Sequence, residues 1–178
     1  MNNGEQHSAM EHMVAAYEKM LERMHEAVEK AENQVPVFKK NLDLAREKAV
    51  ELGELTREEA DKVASYVERD MHDAAVYLAE TGQQLKDWWR FDLQQVEERV
   101  LDMFANVADQ TSIQLREMRE ELRRAEYYNT GEVTGPGTLT CRGCGKQMHF
   151  SKPGRIPPCP GCHGTEFRRE MEAEDSAE

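Results

Sequence analysis

Four cysteines constrain this chain more than any other feature. Cys141, Cys144, Cys159 and Cys162 form C-x2-C, a fourteen-residue spacer and a second C-x2-C, and no cysteine lies elsewhere in the 178 residues. Each pair brings two thiolates onto one tight turn, and two such turns facing each other supply the four sulfurs of a tetrahedral Zn²⁺ site. Gly143, Gly145, Gly161 and Gly164 suit the close backbone approach of a turn wrapped around a metal, and Pro160 stiffens the second turn. Four cysteines saturate the ion, whereas a catalytic zinc keeps one position open, so the expectation is one structural Zn²⁺. His149 and His163 are the nearby spare ligands and are expected to stay off the metal.

The same residues admit two other chemistries. Two disulfides would use all four cysteines, but nothing in the sequence points to export, and thiols stay reduced in the cytosol. Iron is held by similar knuckles, and spacing alone does not separate it from zinc; a redox role would call for an electron partner of which the sequence gives no sign. Residues 138–140, 147–150 and 166–168 are predicted as short strands pinned together by the knuckles, a zinc ribbon over 138–169. So small a module buries too little apolar area to fold alone, so metal binding and folding should be one event, and chelation is expected to melt the C-terminal third only.

From about Glu5 to Tyr128 the apolar pattern is helical. Met10, Met13, Tyr17, Met20, Met24, Ala27 and Ala31 alternate by three and four, the spacing of a coiled-coil seam. Pro36 opens a second segment carrying Phe38, Leu42, Ala45, Ala49 and Leu52 inward, and Gly53 closes it. Thr56 with Glu59 forms a capping-box signature ahead of Ala60, Val63, Val67, Met71, Ala74 and Leu78. After a weak break at Gly82, Trp89, Leu93, Val96, Val100, Met103 and Val107 continue the spacing, and Trp88 is a candidate interface anchor. Such helices are unstable singly. The expected fold is therefore mainly α: a long antiparallel helical hairpin or bundle over 1–130, coiled-coil-like and a candidate homodimer, then a linker at 131–137, the small β zinc ribbon and an acidic disordered tail at 170–178.

Charge divides the chain. Residues 1–130 carry 17 basic and 28 acidic side chains, while 138–169 carry six basic and one acidic. Arg142, Lys146, Lys152, Arg155, Arg168 and Arg169, with Phe150 and Phe167 nearby, are thus candidates for a nucleic-acid or partner surface. The net charge of −12 opposes whole-chain attraction to nucleic acid or anionic membrane. Unbroken apolar runs such as Met13 to Tyr17 and Ala74 to Ala79 are far below the ~20 residues that span a bilayer, and Met1 to Glu11 lacks a signal-peptide succession, so a cytoplasmic location is expected. No phosphate loop, dinucleotide fingerprint, G-x-S-x-G or metalloprotease helix occurs. Glu22-Arg23-Met24-His25 has the Glu-x-x-His form of di-metal carboxylate bundles once, without a second copy. No catalytic residue emerges, and an enzyme is disfavoured.

Three segments together resemble a bacterial zinc-ribbon-containing family, the YbeL-like proteins. They are Gly53-Glu54-Leu55-Thr56-Arg57-Glu58-Glu59 opening a helix, Gly131-Glu132-Val133-Thr134-Gly135-Pro136-Gly137-Thr138-Leu139 leading into the metal module, and the two knuckles. The resemblance covers most of the chain beyond its first thirty residues; it implies helices followed by a ribbon in an intracellular bacterial protein, and it carries no activity with it. Asp70, Asp73 and Ala75 also match the D-x-x-D-x-A pattern at the coiled-coil tip of RNA-polymerase secondary-channel factors of the DksA kind. That tip lies at a turn between helices, whereas Asp70 is predicted inside one, and the cysteine spacer is shorter here. The reading is a non-catalytic adaptor or regulatory protein whose helices self-associate or dock a partner and whose ribbon is a recognition surface. The alternative is a transcription-associated or nucleic-acid-binding factor acting through the basic ribbon.

Overall fold

The computed structural model describes residues 3–30, 38–81, 99–100, 102–108 and 127–169. Helix α1 runs Asn3–Glu29, α2 Phe38–Glu51 and α3 Arg57–Thr81, with a fourth helical segment at 102–108. The break at Gly82, the Pro36 junction, Trp88, Trp89 and the acidic tail lie outside the described residues.

The sequence dictates the α2–α3 corner in detail. Gly53 takes a φ of 67°, the left-handed conformation in which a side chain is strained, while Gly53 and Glu54 donate backbone bonds to the Val50 and Ala49 carbonyls. The capping box then starts α3: the Thr56 N–H donates to Glu59 Oε2 at 2.9 Å, and the Glu59 N–H donates to Thr56 Oγ1 at 3.3 Å. Glu54 accepts from Arg23 and Lys19 of α1, at 2.7 and 3.2 Å, which ties the corner to the first helix.

All three helices pack on one another around a shared core. Each buries a face wider than a coiled-coil seam. In α1, Ala16, Leu21 and Val28 are buried beside Tyr17, Met20 and Met24, while Ala27 is only half-buried. That is the broad stripe of a globular bundle and not a narrow a/d seam. In α2 the expected Phe38, Leu42, Ala45 and Ala49 are buried, and Leu52 is exposed. Val100, Met103, Phe104, Val107 and Ala108 complete the core. The described residues thus form packed helices followed by a small sheet, in keeping with the expected helical bundle and β ribbon; the long antiparallel hairpin is not established among them.

Beyond the helices come β1 (Tyr128–Asn129), β2 (Val133–Thr134), β3 (Gly137–Cys141), β4 (Gln147–Phe150), β5 (Gly154–Arg155) and β6 (Glu166–Arg169). The predicted strands thus form, each within a residue or so of the expected ends. A four-stranded antiparallel sheet has the order β1-β6-β3-β4, and β2 pairs with β5. Successive strand residues face opposite sides. In β6 this buries Phe167 and Arg169 and exposes Glu166 and Arg168. Tyr128, Leu139, Cys141, Ile156, Cys159 and Phe167 make a second, small core.

The stretch 131–137, read from its glycines and proline as a linker, is half-buried at its start and buried from Val133 to Gly137. Strand β2 packs on α3 and α1, and Val133 belongs to the helical core. Gly-Pro-Gly composition serves a buried strand that must approach helices closely as well as it serves a free connection.

Candidate metal centre and its attachment to the helices

The two knuckles repeat one backbone design. The Gly145 N–H donates to the Cys141 carbonyl and the His163 N–H to the Cys159 carbonyl, both at 2.9 Å. The Cys141 N–H in turn donates to the Lys146 carbonyl and the Cys159 N–H to the Gly164 carbonyl, again both at 2.9 Å. The residue after the second cysteine of each knuckle is left-handed: Gly145 at φ 74° and His163 at φ 59°. His163 therefore holds a turn position that glycine takes in the first knuckle. His149 Nδ1 lies 2.9 Å from Thr138 Oγ1 across the β3–β4 pair.

These turns bring all four Sγ atoms within 4.8 Å of one another, with Cys141 to Cys162 and Cys144 to Cys159 each at 3.5 Å. Four ligands about 2.3 Å from a tetrahedral zinc would stand about 3.8 Å apart, so the cage fits the ion. A disulfide needs about 2.05 Å, and all four cysteines are free thiols. Among the described residues this is the one set of three or more ligating side chains close enough to share a metal. The backbone tunes the sulfurs: N–H groups of Cys162 and Gly161 aimed at Cys159 push its thiol down to about 6. Although the Gly164 N–H lowers Cys162, the neighbouring Cys144 and Cys141 side chains outweigh it and push that thiol up to about 12. Crowded sulfurs resist becoming four thiolates together, and a dication supplies the missing charge. The arrangement suits a structural metal, with four sulfurs able to fill a tetrahedral shell.

Of the six candidate basic residues, five are exposed and one is not. Arg142 donates to Glu166 at 2.8 Å and stacks over Tyr127, 4.2 Å from its ring centre. Arg155 donates to the Gly131 carbonyl at 3.2 Å. Lys146, Lys152 and Arg168 are exposed on three other parts of the ribbon. Arg169 leaves the set: its side chain is only 2% exposed and reaches into the helical domain.

There it meets Asp70, which is fully buried in the middle of α3. The Asp70 carboxylate accepts four donors, a full complement. Oδ2 takes the Tyr17 hydroxyl at 2.7 Å and the Gly135 N–H at 2.5 Å; Oδ1 takes the Tyr128 hydroxyl at 2.9 Å and Arg169 Nη2 at 3.1 Å. Tyr128 also contacts Asp73, and its single proton serves one carboxylate at a time. Arg169 Nε donates to the Tyr128 oxygen and Nη1 to the Pro136 carbonyl, each at 2.8 Å, and Nη2 donates to Thr134 Oγ1 at 2.5 Å. A second guanidinium, Arg69, lies 3.7 Å from the Tyr128 ring centre and donates to Glu132 at 2.5 Å and to the Val133 carbonyl at 3.1 Å. Burial would lower the pKa of Arg169, but Tyr128, Asp70 and Asp73 together raise it. Burial foremost, and Asp70 next, raise Tyr17 well above 10.0. Tyr128 is likewise raised, by burial first and by Asp70 and Asp73, against the opposing pull of Arg169 and Arg69.

The D-x-x-D-x-A match is therefore not an exposed tip. Asp70 and Ala75 are fully buried, and the Asp73 side chain is 19% exposed and bonded to Tyr128. The junction was missed in the sequence, although two signals pointed at it. Asp70 falls three residues after Val67 and four before Ala74, on the inward face of α3, and Arg169 follows Phe167 by two in β6.

Residues 25–171 match the family model described as a zinc-ribbon containing domain. The chain belongs to this family. Similar chains include the protein called "Uncharacterized protein YbeL" in Escherichia coli strain K12, 27% identical over 153 residues that cover 86% of this chain and 92% of that one. The proteins of the same name from Escherichia coli O6:H1 strain CFT073 and from O157:H7 match to the same extent. No solved structure matches. Among the described residues, no helix is long and apolar enough to cross a membrane.

Proposed function

We propose that this protein is a non-catalytic adaptor or regulator, working in a reducing, cytoplasmic compartment, in which a structural zinc shapes a small recognition surface carried on a helical body. The observation that carries this reading is the saturated four-sulfur cage: with every coordination position taken by a thiolate, the ion has none left for substrate or water. Anchorage supports it further. The ribbon is fixed to α3 through Arg169 and Asp70 and, by way of the Asp70 bond to Tyr17, to α1, so its exposed basic side chains, Arg142, Lys146 and Arg168 among them, are presented in a set orientation to a protein partner. A rigid surface loses little entropy on binding. Burial of Arg169 removes one charge from the nucleic-acid alternative, and the Arg142 bond to Glu166 offsets a second.

The test is affinity capture of the full-length chain from its native cell, followed by reconstitution with the purified partner. Wild type should retain one discrete protein that survives nuclease treatment and is lost with Arg142→Glu/Lys146→Glu, whose zinc content should stay at one ion. Retention of nucleic acid instead, abolished by nuclease, would overturn the adaptor reading in favour of the alternative.

A further inference from the structure

Asp70 draws three of its four donors from residues 128–169, namely the Tyr128 hydroxyl, the Gly135 N–H and Arg169; only Tyr17 belongs to the helices. Among these donors Arg169 is the counter-charge. Its position depends on the metal cage by a short path. Cys141 ends β3, and β3 holds β6 with Cys141 opposite Phe167 and Leu139 opposite Arg169. Two of the six residues in the ribbon's small core, Cys141 and Cys159, are themselves cage thiols. Without a cation those thiols lose what gathers them, and the four apolar side chains that remain are too few to keep β6 in register. A released β6 withdraws Arg169 along with the Tyr128 hydroxyl and the Gly135 N–H. Asp70 is left buried between α1 and α3 with Tyr17 alone of its four donors; the nearby charge is Arg69 Nε, 3.5 Å from Oδ1 and making no hydrogen bond among the described residues. A buried carboxylate in that state must gain water, and the route to water is separation of Tyr17 and its helix from α3.

We propose that metal occupancy of the four-thiol cage controls how tightly α1 packs against α3, with the Arg169–Asp70 pair transmitting the state of the cage into the helical core. The loaded protein is closed at this seam. The metal-free protein opens it and presents the apolar surface around Tyr17, Met20 and Met71, which no metal ligand touches directly. Chelation then loosens two helices as well as the C-terminal third. The inference rests on the cage and the junction and is independent of any partner, so its failure leaves the adaptor reading standing.

Hydrogen–deuterium exchange on the full-length chain tests it, comparing zinc-loaded protein with protein stripped by EDTA, metal content being measured in each. Segments 13–24 and 63–77 should exchange at least tenfold faster after stripping. Asp70→Asn keeps the shape and removes the charge that needs Arg169, so its response to stripping should fall to less than threefold. Arg169→Met should show fast exchange in both segments while still holding one zinc. Helices that keep their protection while 128–169 exchanges freely would overturn the proposal. So would an Asp70→Asn chain that responds to EDTA as wild type does, and this arm decides the matter should Arg169→Met lose its zinc.

Discussion

Arg142 and Arg169 are both carried by the ribbon, and each pairs with a carboxylate at similar distance, 2.8 Å to Glu166 and 3.1 Å to Asp70. Their surroundings differ. The Arg142 side chain is 44% exposed and its partner 57%, whereas Arg169 is 2% exposed and Asp70 not at all. In water the first pair gains little Coulomb energy and spends side-chain entropy to hold two long groups together. The second pair sits where neither charge has solvent to fall back on, backed by two longer contacts, Arg69 Nε at 3.5 Å from Asp70 and Arg169 Nε at 3.5 Å from Asp73. Composition counts these arginines alike; burial makes one a surface charge and the other the bolt between two parts of the molecule.

The sharpest way to break this contrast is to remove one arginine at a time. Arg169→Ala leaves Asp70 with the longer Arg69 contact and should cost about 3 kcal/mol, the low end for breaking a buried ion pair from one side. Urea unfolding of the zinc-loaded chain, followed at 222 nm, measures it; a loss below 1 kcal/mol would mean that the junction is wet and the two arginines equivalent. Next in size is Gly135→Ala. A Cβ at Gly135 would lie 2.7 Å from Tyr17 Oη, 3.0 Å from Phe104 Cε2 and 3.2 Å from Asp70 Oδ2. Tyr17 and Asp70 are fully buried and cannot swing aside, so overpacking should cost about 1–3 kcal/mol in the same assay. A neutral result would show that β2 rides loosely on the helices.

The alkaline limb gives a third, smaller contrast. Tyr17 and Tyr128 have folded pKa values raised above the ordinary 10.0, so each phenol contributes stability that is complete below pH 10 and is lost as the pH climbs from there toward the folded value. Above pH 10 the unfolded chain ionises first, and stability should fall by about 1.4 kcal/mol per phenol for each pH unit. Tyr66 is raised as well, by burial first, so Tyr17→Phe should lower the slope of the urea midpoint between pH 10 and 11 by roughly a third. An unchanged slope would place the titration elsewhere.

What was legible in the sequence follows from how locally each feature is encoded. The cage, the Gly53 stop, the Thr56–Glu59 cap and the three ribbon strands are each specified within about twenty residues by spacing and side-chain chemistry. The inward residues of α2 up to Ala49 and of α3 up to Ala74 follow from their period, but Leu52 is exposed beyond the end of α2, and α1 departs from its strict three-four seam because Leu21 and Val28 widen the buried face. The junction is different in kind. Asp70 and Arg169 are 99 residues apart, and no period or spacing joins them. The inward face of α3 marks Asp70 as a polar residue at a core position, and the alternation of β6 marks Arg169 as facing inward. Each signal alone reads as a solvated charge, because charged residues make up 33% of the chain and most of them are on the surface. Gly135 is unreadable for the same reason: its lack of a side chain matters only once Tyr17, Phe104 and Asp70 have been brought to it.

Arg142→Ala is the smallest effect and the control on which the contrast depends. Its bond to Glu166 and its stacking on Tyr127 both lie at the surface, so their loss should cost no more than about 1 kcal/mol. Salt should separate the two arginines further. Screening acts on exposed charges, with a Debye length of about 10 Å at 0.1 M ionic strength, and reaches a buried pair much less. Raising sodium chloride from 0.05 to 0.5 M should therefore erase most of the Arg142→Ala effect, measured as the difference in urea midpoint from wild type at each salt concentration, and leave the Arg169→Ala effect nearly whole. Were both effects to shrink together, Arg169 would be a surface charge like Arg142, and the ribbon would sit on the helices as a neighbour and not as part of their core.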